Sequence, residues 1–315
     1  MTDLFILGNG FDRHHGLATS YGSFAQFAKE NSPTVYAKLS ELFAASSEYM
    51  GYQDLHDFEK ENFVYDRWCD FEISLGLLDD EEFSAHSRED ISEYMQELGM
   101  EEHLVEEFVS NISGILNVFR NWAESIPLPL DLRGNFTFAP SARFINFNYT
   151  ETLERFYAVD QSNIFYIHGR RGTGEKLIVG HDRSPPSPKS KDDLPDIQYN
   201  PFYGYLRLTR KPVEIIEPKL TRWLETIPKI DIISVLGHSL GYVDLSYFKI
   251  ISEAYPIARW RFSYFNQEDL ERVHETIRIL GLKADYVLTV TTLQELECNP
   301  NSSQKSMLPK LDFIY

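Results

Sequence analysis

Cysteine is scarce in this sequence. Only Cys69 and Cys298 occur among its 315 residues, so the chain can form neither a CxxC pair nor a four-cysteine zinc site. Disulfides form and persist mainly in oxidising compartments. A reducing compartment is therefore the simpler interpretation of so few thiols, and we expect a cytoplasmic protein.

Positive charge is also in short supply. Lysine and arginine total 30 against 48 aspartates and glutamates, which gives a formal net charge of -18. A field of this sign repels polyanions, and non-specific nucleic-acid binding depends on neutralising phosphates. We therefore expect no non-specific binding to nucleic acid. A local basic pocket for a small phosphorylated ligand would have to come from 207–211 (RLTRK) or from Arg170 and Arg171.

Long hydrophobic runs are missing as well. No apolar segment approaches the roughly 20 residues that a membrane-spanning helix needs. The first residues, MTDLFILGNGFD, contain Asp3 and only four apolar residues before the first glycine, so we expect no signal peptide and no membrane association. The hydrophobic content of 43% is typical of a globular chain.

Short apolar runs alternate with helical patterns along much of the chain. Patterns such as TETLERFYAV and EDLERVHETIRILG separate several of the runs, an order that favours a parallel sheet with helices on both faces. The sequence therefore predicts an α/β fold with a Rossmann-like, mostly parallel sheet. The predicted strands lie at 4–10, 143–148, 163–169, 176–181, 231–237, 259–265 and 285–290.

The stretch from about residue 36 to 126 differs in character. It combines long helical spacings with dense acidic segments, and we interpret it as a helical insertion. The predicted domains are a Rossmann-like nucleotide-binding core at 1–35 and 127–315, and the insertion at 36–126. A proline-rich polar stretch at 182–196 is predicted to be a mobile loop that covers or borders a site.

Small or polar residues follow five of the predicted strands. Because ligands bind at the carboxyl ends of the strands in open α/β sheets, these residues are expected to line one pocket. None of the histidines has recognisable metal-ligand spacing, so no metal is predicted. The residues are Gly8, Asn9, Gly10 and Asp12; Asn148 and Thr150; His168 and Gly169; Gly180, His181 and Asp182; and Gly237, His238 and Ser239.

Residues 237–241, GHSLG, match the G-x-S-x-G of a hydrolase nucleophile elbow. A serine nucleophile needs a histidine base later in the chain, and after Ser239 only His274 remains, within a predicted helix. Tyr242 and Val243 are also bulky for the turn after such an elbow. A serine esterase is thus the weaker interpretation, and a turn serine or a helix N-cap is the stronger one.

The same turn suits a nucleotide. A glycine after a buried strand lets a ligand approach the backbone, and amides at the start of the next helix favour phosphate oxygens. GNGFD at 8–12 offers the same chemistry, with Asp12 as a helix cap or a ribose ligand. It lacks the third glycine of G-x-G-x-x-G, so an ordinary oxidoreductase fingerprint is absent, and a turn without any ligand is the alternative.

Five segments follow one another along the chain as a recognisable set. They are LFILGNGFDRHHGLATSYGSF (4–24), RWCDFEISL (67–75), FINFNYTETLERFY (144–157), YIHG (166–169) and GHSLGYVDLSYFKII (237–251). Taken together and in order, they resemble the AbiH-type bacteriophage abortive-infection proteins. Within RWCDFEISL the resemblance suggests a W-x-D-x-E pattern, in which Asp70 and Glu72 lie two positions apart and would diverge on a helix. We favour a structural or domain-contact role for that pair.

A looser resemblance connects the order glycine loop, N-Y-T, H-G and G-x-S-L with sirtuin-like NAD-binding domains. It implies that Asn148 and His168 serve the nicotinamide ribose as catalytic residues. The resemblance places Gly8, Gly10 and Asp12 near the phosphates and ribose of a nucleotide, and Gly237 and Ser239 near its other end. We add Asn9 and His238, which lie in the same two turns, to the predicted nucleotide contacts, and we keep His14, His15, His181 and His238 as alternative catalytic residues. The missing four-cysteine zinc module argues against protein deacylation.

The leading hypothesis is a phage-defence effector that binds a nucleotide and hydrolyses NAD. Asn148 would hold a ribose hydroxyl and the attacking water, and His168 would accept the proton. The alternative is a non-enzymatic nucleotide sensor or a partner-binding defence protein whose acidic insertion contacts the partner. Because a toxic activity must be restrained, a homo-oligomer or a phage-derived trigger is expected.

Overall fold

The computed structural model describes residues 2–49, 64–77, 114–129, 135–185 and 201–298. The chain forms two compact units, which are described separately. The sheet unit comprises Met1–Thr19, Ile126–Leu177 and Val213–Tyr315, and the helical unit comprises Ser20–Ser125 and Ile178–Pro212. Most of the loop predicted at 182–196 lies outside the described residues.

These boundaries differ from the predicted ones in two places. The helical unit begins at Ser20, not at residue 36, and it also takes in Ile178–Pro212. The physical reason for the first difference is the helix Tyr21–Asn31, which buries Phe24 against other aromatic rings of the helical unit. The ring centroids of Phe71 and Phe119 each lie 5.1 Å from that of Phe24.

The sheet unit contains six parallel strands in the order β3-β2-β1-β4-β5-β6. This order, with helices around the sheet, confirms the predicted α/β Rossmann-like fold. The strands are β1 (Asp3–Leu7), β2 (Arg143–Asn146), β3 (Ile164–Tyr166), β4 (Ile232–Leu236), β5 (Arg259–Tyr264) and β6 (Val287–Thr292).

The central strands form because their sequences suit burial on both faces. All five residues of β4, IISVL, are buried, as expected for a strand covered on both sides. Leu7 and Leu236, at the ends of β1 and β4, pack in one apolar cluster with Phe11 and Phe144. This cluster anchors the carboxyl edge of the sheet, where the site residues lie.

Short helices follow most strands of the sheet unit. Val213–Glu225 was missed by the sequence analysis because Pro218 interrupts its pattern, although the apolar face of Ile216, Leu220 and Leu224 is buried. The helices of this unit are Asn9–His14, Thr152–Tyr157, Val213–Glu225, Leu245–Ala254, Gln267–Ile279 and Leu293–Cys298, with 3-10 turns at Gln161–Asn163, Tyr242–Asp244 and Ala284–Tyr286.

The strand predicted at 176–181 is wrong. His181 makes only an isolated bridge with Arg210, and the preceding residues have no strand conformation. Gly180 has a φ of 141°, and a Cβ atom there would lie 1.7 Å from the carbonyl oxygen of Thr209. This close approach fixes the segment against the helix Pro201–Thr209, within the helical unit.

The helical unit has an aromatic core and a buried polar network. Its described helices are Tyr21–Asn31, Pro33–Tyr49, 64–69, Phe71–Leu77, 114–125 and Pro201–Thr209. The Lys211 Nζ atom is fully buried and lies 3.1 Å from Glu72 Oε1. The Gly180 amide also donates to the Glu72 carboxylate, at 3.2 Å. Glu72 therefore contacts Lys211 and Gly180 within the helical unit.

None of the helices in the described ranges is both long and apolar enough to cross a membrane.

Candidate functional site

The strand order places a topological switch point between β1 and β4. β1 and β4 are neighbours, and the chain leaves β1 toward β2 on one side and enters β5 from β4 on the other. In open α/β sheets ligands bind at such a topological switch point. The residues that follow β1 and β4 are Gly8, Asn9 and Gly10, and Gly237, His238 and Ser239.

The glycines of the two turns meet each other. The Gly10 amide donates to the Gly237 carbonyl oxygen at 2.7 Å, and the Gly8 amide donates to the Leu236 carbonyl oxygen at 3.0 Å. A Cβ atom on Gly8 would lie 2.4 Å from the His238 Cα atom. The glycines thus permit close contact between two backbone segments. Their role in binding a phosphate stays a prediction.

Asp12 lies inside the helix Asn9–His14 and is completely buried. Its carboxylate accepts hydrogen bonds from the hydroxyl groups of Thr150 and Thr152, the latter at 2.7 Å. The helix has Gly8 at its N-cap, so the prediction that Asp12 caps it is wrong. Burial raises the pKa of Asp12 to about 6, although the two threonine hydroxyls and Arg171 lower it.

The Asp12→Asn variant is expected to gain stability relative to wild type as the pH rises. In the unfolded chain Asp12 ionises near its usual pKa of 3.8, whereas the folded protein retains the proton up to about 6. The wild-type free energy of unfolding should therefore fall across this window by about 3 kcal/mol relative to the variant, which cannot ionise. Urea unfolding of both proteins at pH 4 and pH 7 measures the difference, and a constant difference would contradict the assignment.

Asn148 fastens the turn after β2 to the turn after β1. Its Nδ2 atom donates to the Gly8 carbonyl oxygen at 3.1 Å, and its own amide donates to Asn146 Oδ1 at 3.0 Å. The side chain is buried, with 5% of the residue exposed. Asn9, which is half-buried, accepts a 2.5 Å hydrogen bond from the Thr19 hydroxyl. Both amides therefore hold the loops at this edge in position.

His168 and His238 lie on either side of one carboxylate. Asp244 Oδ1 is 3.7 Å from His168 Nε2, and Asp244 Oδ2 is 3.7 Å from His238 Nε2. His168 is 3% exposed, His238 is 6% exposed and Asp244 is 7% exposed. The Phe147 ring contacts both imidazoles, with centroid distances of 5.5 Å to His168 and 4.3 Å to His238. Two histidines and a carboxylate from the ends of β3 and β4 thus form one buried ionisable cluster.

A family model described as bacteriophage abortive infection AbiH matches residues 4–264. The chain belongs to the AbiH family. This result confirms the first resemblance, and it gives the protein a role in defence against bacteriophage by abortive infection. No match was found among curated proteins or among solved structures.

The GHSLG turn of this AbiH chain does not have the geometry of a nucleophile elbow. Ser239 is exposed, and the residues with positive φ are Gly237 at 63° and Leu240 at 55°. An elbow places its serine on the strained residue and starts the helix there, whereas here a 3-10 turn precedes the helix Leu245–Ala254. The geometry gives no support to a serine esterase.

Three of the candidate basic residues of the AbiH chain, Arg170, Arg171 and Lys211, are engaged in ion pairs. Arg170 pairs with Glu154 at 3.1 Å, and Arg171 pairs with Glu151 at 2.8 Å. Lys211, from the RLTRK segment, is the buried partner of Glu72. These three positive charges are each paired with a glutamate of the same unit, so they give no support to a basic pocket for a phosphorylated ligand.

The other candidate histidines, His14, His15 and His181, have polar partners of their own. His14 Nε2 lies 3.1 Å from Glu297, and His15 contacts the Phe11 carbonyl oxygen and the Tyr157 hydroxyl group. His181 belongs to the helical unit, where burial lowers its pKa to about 4. Among the residues that the structure describes, no group of three or more histidine, cysteine or acidic side chains could hold a metal ion.

Asp244 was missed by the sequence analysis. Its only signal was an acidic residue directly before the apolar spacing of LSYFKII, which is typical of an ordinary helix N-cap. In the sheet β2 and β1 lie between β3 and β4, so the proximity of Asp244 to His168 depends on the path that the chain takes after β4. A single sequence does not reveal this contact between distant segments.

Proposed function

We propose that this AbiH protein defends the cell by hydrolysing NAD at the carboxyl edge of its sheet. The observation that carries the proposal is the buried cluster of His168, Asp244 and His238 beside the switch point of a Rossmann-like sheet. A buried ionisable group with a specific charge partner is a candidate for a functional site. Asn148 lies between two residues that contact the cluster, since the rings of Phe147 and Tyr149 both face His168.

Hydrolysis of the bond between ribose and nicotinamide requires one general base and one group that positions the reactants. A water oxygen forms a bond with the ribose carbon that carries nicotinamide, and the bond between that carbon and the nicotinamide nitrogen breaks. Nicotinamide leaves as a neutral base with the bonding electron pair, and the water proton passes to His168. Asn148 orients the ribose and the water, as a side-chain amide can do. The products are nicotinamide, ADP-ribose and a proton that His168 later releases.

The two ends of the dinucleotide fit this edge unequally. The ribose end is supported by the amide of Asn148 and the base His168. The diphosphate has no support at the glycine turns, because the space beside Gly8 is filled by the His238 backbone. We propose that the diphosphate lies outside these turns, near the exposed Ser239, and that a phage-derived trigger or a homo-oligomer controls access to the buried cluster.

The decisive measurement is NAD consumption by purified protein, with nicotinamide and ADP-ribose quantified. His168→Ala and Asn148→Ala are expected to lower the rate by about 10²–10⁴-fold. His274→Ala is the matched control, because His274 lies half-buried on the helix Gln267–Ile279 and takes no part in the site. Thermal unfolding of each variant separates loss of chemistry from loss of fold. The same variants are also compared for NAD content in phage-infected cells, where the trigger is present.

Two results would overturn the proposal. One is unchanged NAD in infected cells that the wild-type protein protects, together with no consumption by purified protein. The other is full protection by a folded His168→Ala protein. If NAD binds in calorimetry but survives in both settings, the protein is a nucleotide sensor, which was the alternative predicted from the sequence.

A further inference from the structure

Asp244 occupies a helix N-cap position but does not cap the helix. It directly precedes the helix Leu245–Ala254, and its side chain makes no capping hydrogen bond. An N-cap aspartate normally accepts a hydrogen bond from an amide of the first turn, which stabilises the fold by about 0.5–2 kcal/mol. Here the two carboxylate oxygens face His168 and His238 instead. The Asp244 carboxylate thus faces the two histidines, and the helix Leu245–Ala254 has no side-chain cap from Asp244.

The protonation of His238 follows from its other ring nitrogen. The Leu240 amide donates to His238 Nδ1 at 2.9 Å, so that nitrogen acts as an acceptor and carries no proton. The single proton of this imidazole is therefore on Nε2, the atom that faces Asp244. Leu240 adopts a φ of 55°, an uncommon conformation for a leucine, and this conformation accompanies the hydrogen bond.

We propose that Asp244 is a positioning residue that keeps the proton of His168 on Nε2, while His238 stays neutral and donates its Nε2 proton to the other carboxylate oxygen. The basic nitrogen of His168 is then Nδ1. This inference rests on the proposed function, because it assumes that His168 is the base. In this proposal Asp244 and His238 orient the catalytic base and do not contact the nucleotide, whereas the sequence analysis had placed His238 among the nucleotide contacts.

The arrangement favours the charge that appears during the reaction. When Nδ1 of His168 accepts a proton, the imidazolium is stabilised by the adjacent carboxylate, and His238 does not neutralise that carboxylate. The 3.7 Å separations exceed ordinary hydrogen bonds, and such contacts commonly shorten when a substrate binds. Tyr149 and Tyr247 also face the His168 ring, and tyrosine hydroxyls keep their protons near neutral pH.

The first test requires no activity. Long-range proton–nitrogen spectra of nitrogen-15-labelled full-length protein report which ring nitrogen of each histidine carries the proton, and His168→Gln and His238→Gln assign the signals. We expect His238 to show only the Nε2-protonated form from about pH 5.5 to 8. We expect the titration of His168 to move to lower pH in Asp244→Asn, with no movement in the control Asp285→Asn, whose side chain is exposed before β6. A second proton on His238, or an unmoved His168 titration, overturns the proposal.

The second test uses turnover. Asp244→Asn preserves the size of the side chain and is expected to slow NAD consumption by about 10²-fold, with the acid limb of the pH profile moved to lower pH. The double variant Asp244→Asn/His168→Ala should be no slower than His168→Ala alone, because both substitutions disable one unit. Additive losses would contradict a shared role. If no NAD is consumed at all, the proposed function fails, whereas the imidazole spectra still decide the roles of Asp244 and His238.

Discussion

Gly237→Ala is expected to lower the free energy of unfolding by about 3 kcal/mol or more, because two unfavourable effects coincide. Gly237 has a φ of 63°, and an added Cβ atom would lie 2.3 Å from the Phe11 amide nitrogen. The methyl group meets backbone atoms, which cannot rotate away as a flexible side chain could. The turns after β1 and β4 would have to separate, and the site would lose its geometry with them.

Gly241→Ala is the matched control. It lies in the same GHSLG segment, with a φ of -60°, and a Cβ atom there would meet nothing closer than 3.9 Å. This variant should unfold within about 0.5 kcal/mol of wild type. Urea unfolding followed by tryptophan fluorescence measures both proteins. Equal stability of the two variants would show that the turns do not pack as described.

Glu72→Ala is expected to destabilise the helical unit by about 3–5 kcal/mol, because it removes the carboxylate that faces a buried ammonium group. Lys211 has a side chain with 0% exposure, and its Nζ atom lies 3.1 Å from Glu72 Oε1. The Gly180 amide loses an acceptor in the same substitution. Thermal unfolding monitored through Trp68 and Trp122, both buried in this unit, provides the measurement.

Two further variants test the cause of that loss. The double variant Glu72→Leu/Lys211→Met should recover much of the stability, because it removes both charges and fills the space with apolar atoms. Lys229→Met is the control: its pair with Asp231 is largely exposed, with 70% of the lysine side chain accessible, and such pairs contribute less than about 1 kcal/mol. A double variant as unstable as Glu72→Ala would attribute the loss to packing.

The sheet was the part of the fold most open to prediction. The run that became β5, Arg259–Tyr264, alternates polar with apolar residues. The run that became β4 is short and mostly apolar, the pattern that burial on both faces leaves in a parallel sheet. The run at 176–181 looked the same but is not a strand, because its glycine packs on the carbonyl oxygen of Thr209. Apolar composition alone does not distinguish a strand from an extended segment packed on a helix.

For the candidate site, the sequence predicted only which residues follow the ends of the strands. Asn148, His168 and His238 do lie at the carboxyl edge, as the rule for open sheets requires. Their chemical partners were not predictable, since Asp12 meets two threonines, and Asp244 meets His168, across long sequence separations. Such pairs depend on strand order and on turn conformation, neither of which is encoded in local spacing.

The pairing of β1 with β4 also delays the completion of the sheet during synthesis. Thr2 and Asp231, at the starts of these strands, are hydrogen-bonded although 229 positions apart. At ribosomal speeds the first strand waits roughly 10–50 s for its neighbour to emerge. During that interval β1 has an unpaired edge that other chains can join, and the turn that bears His238 and Asp244 does not yet exist. A nascent or prematurely released chain is therefore expected to aggregate through this edge.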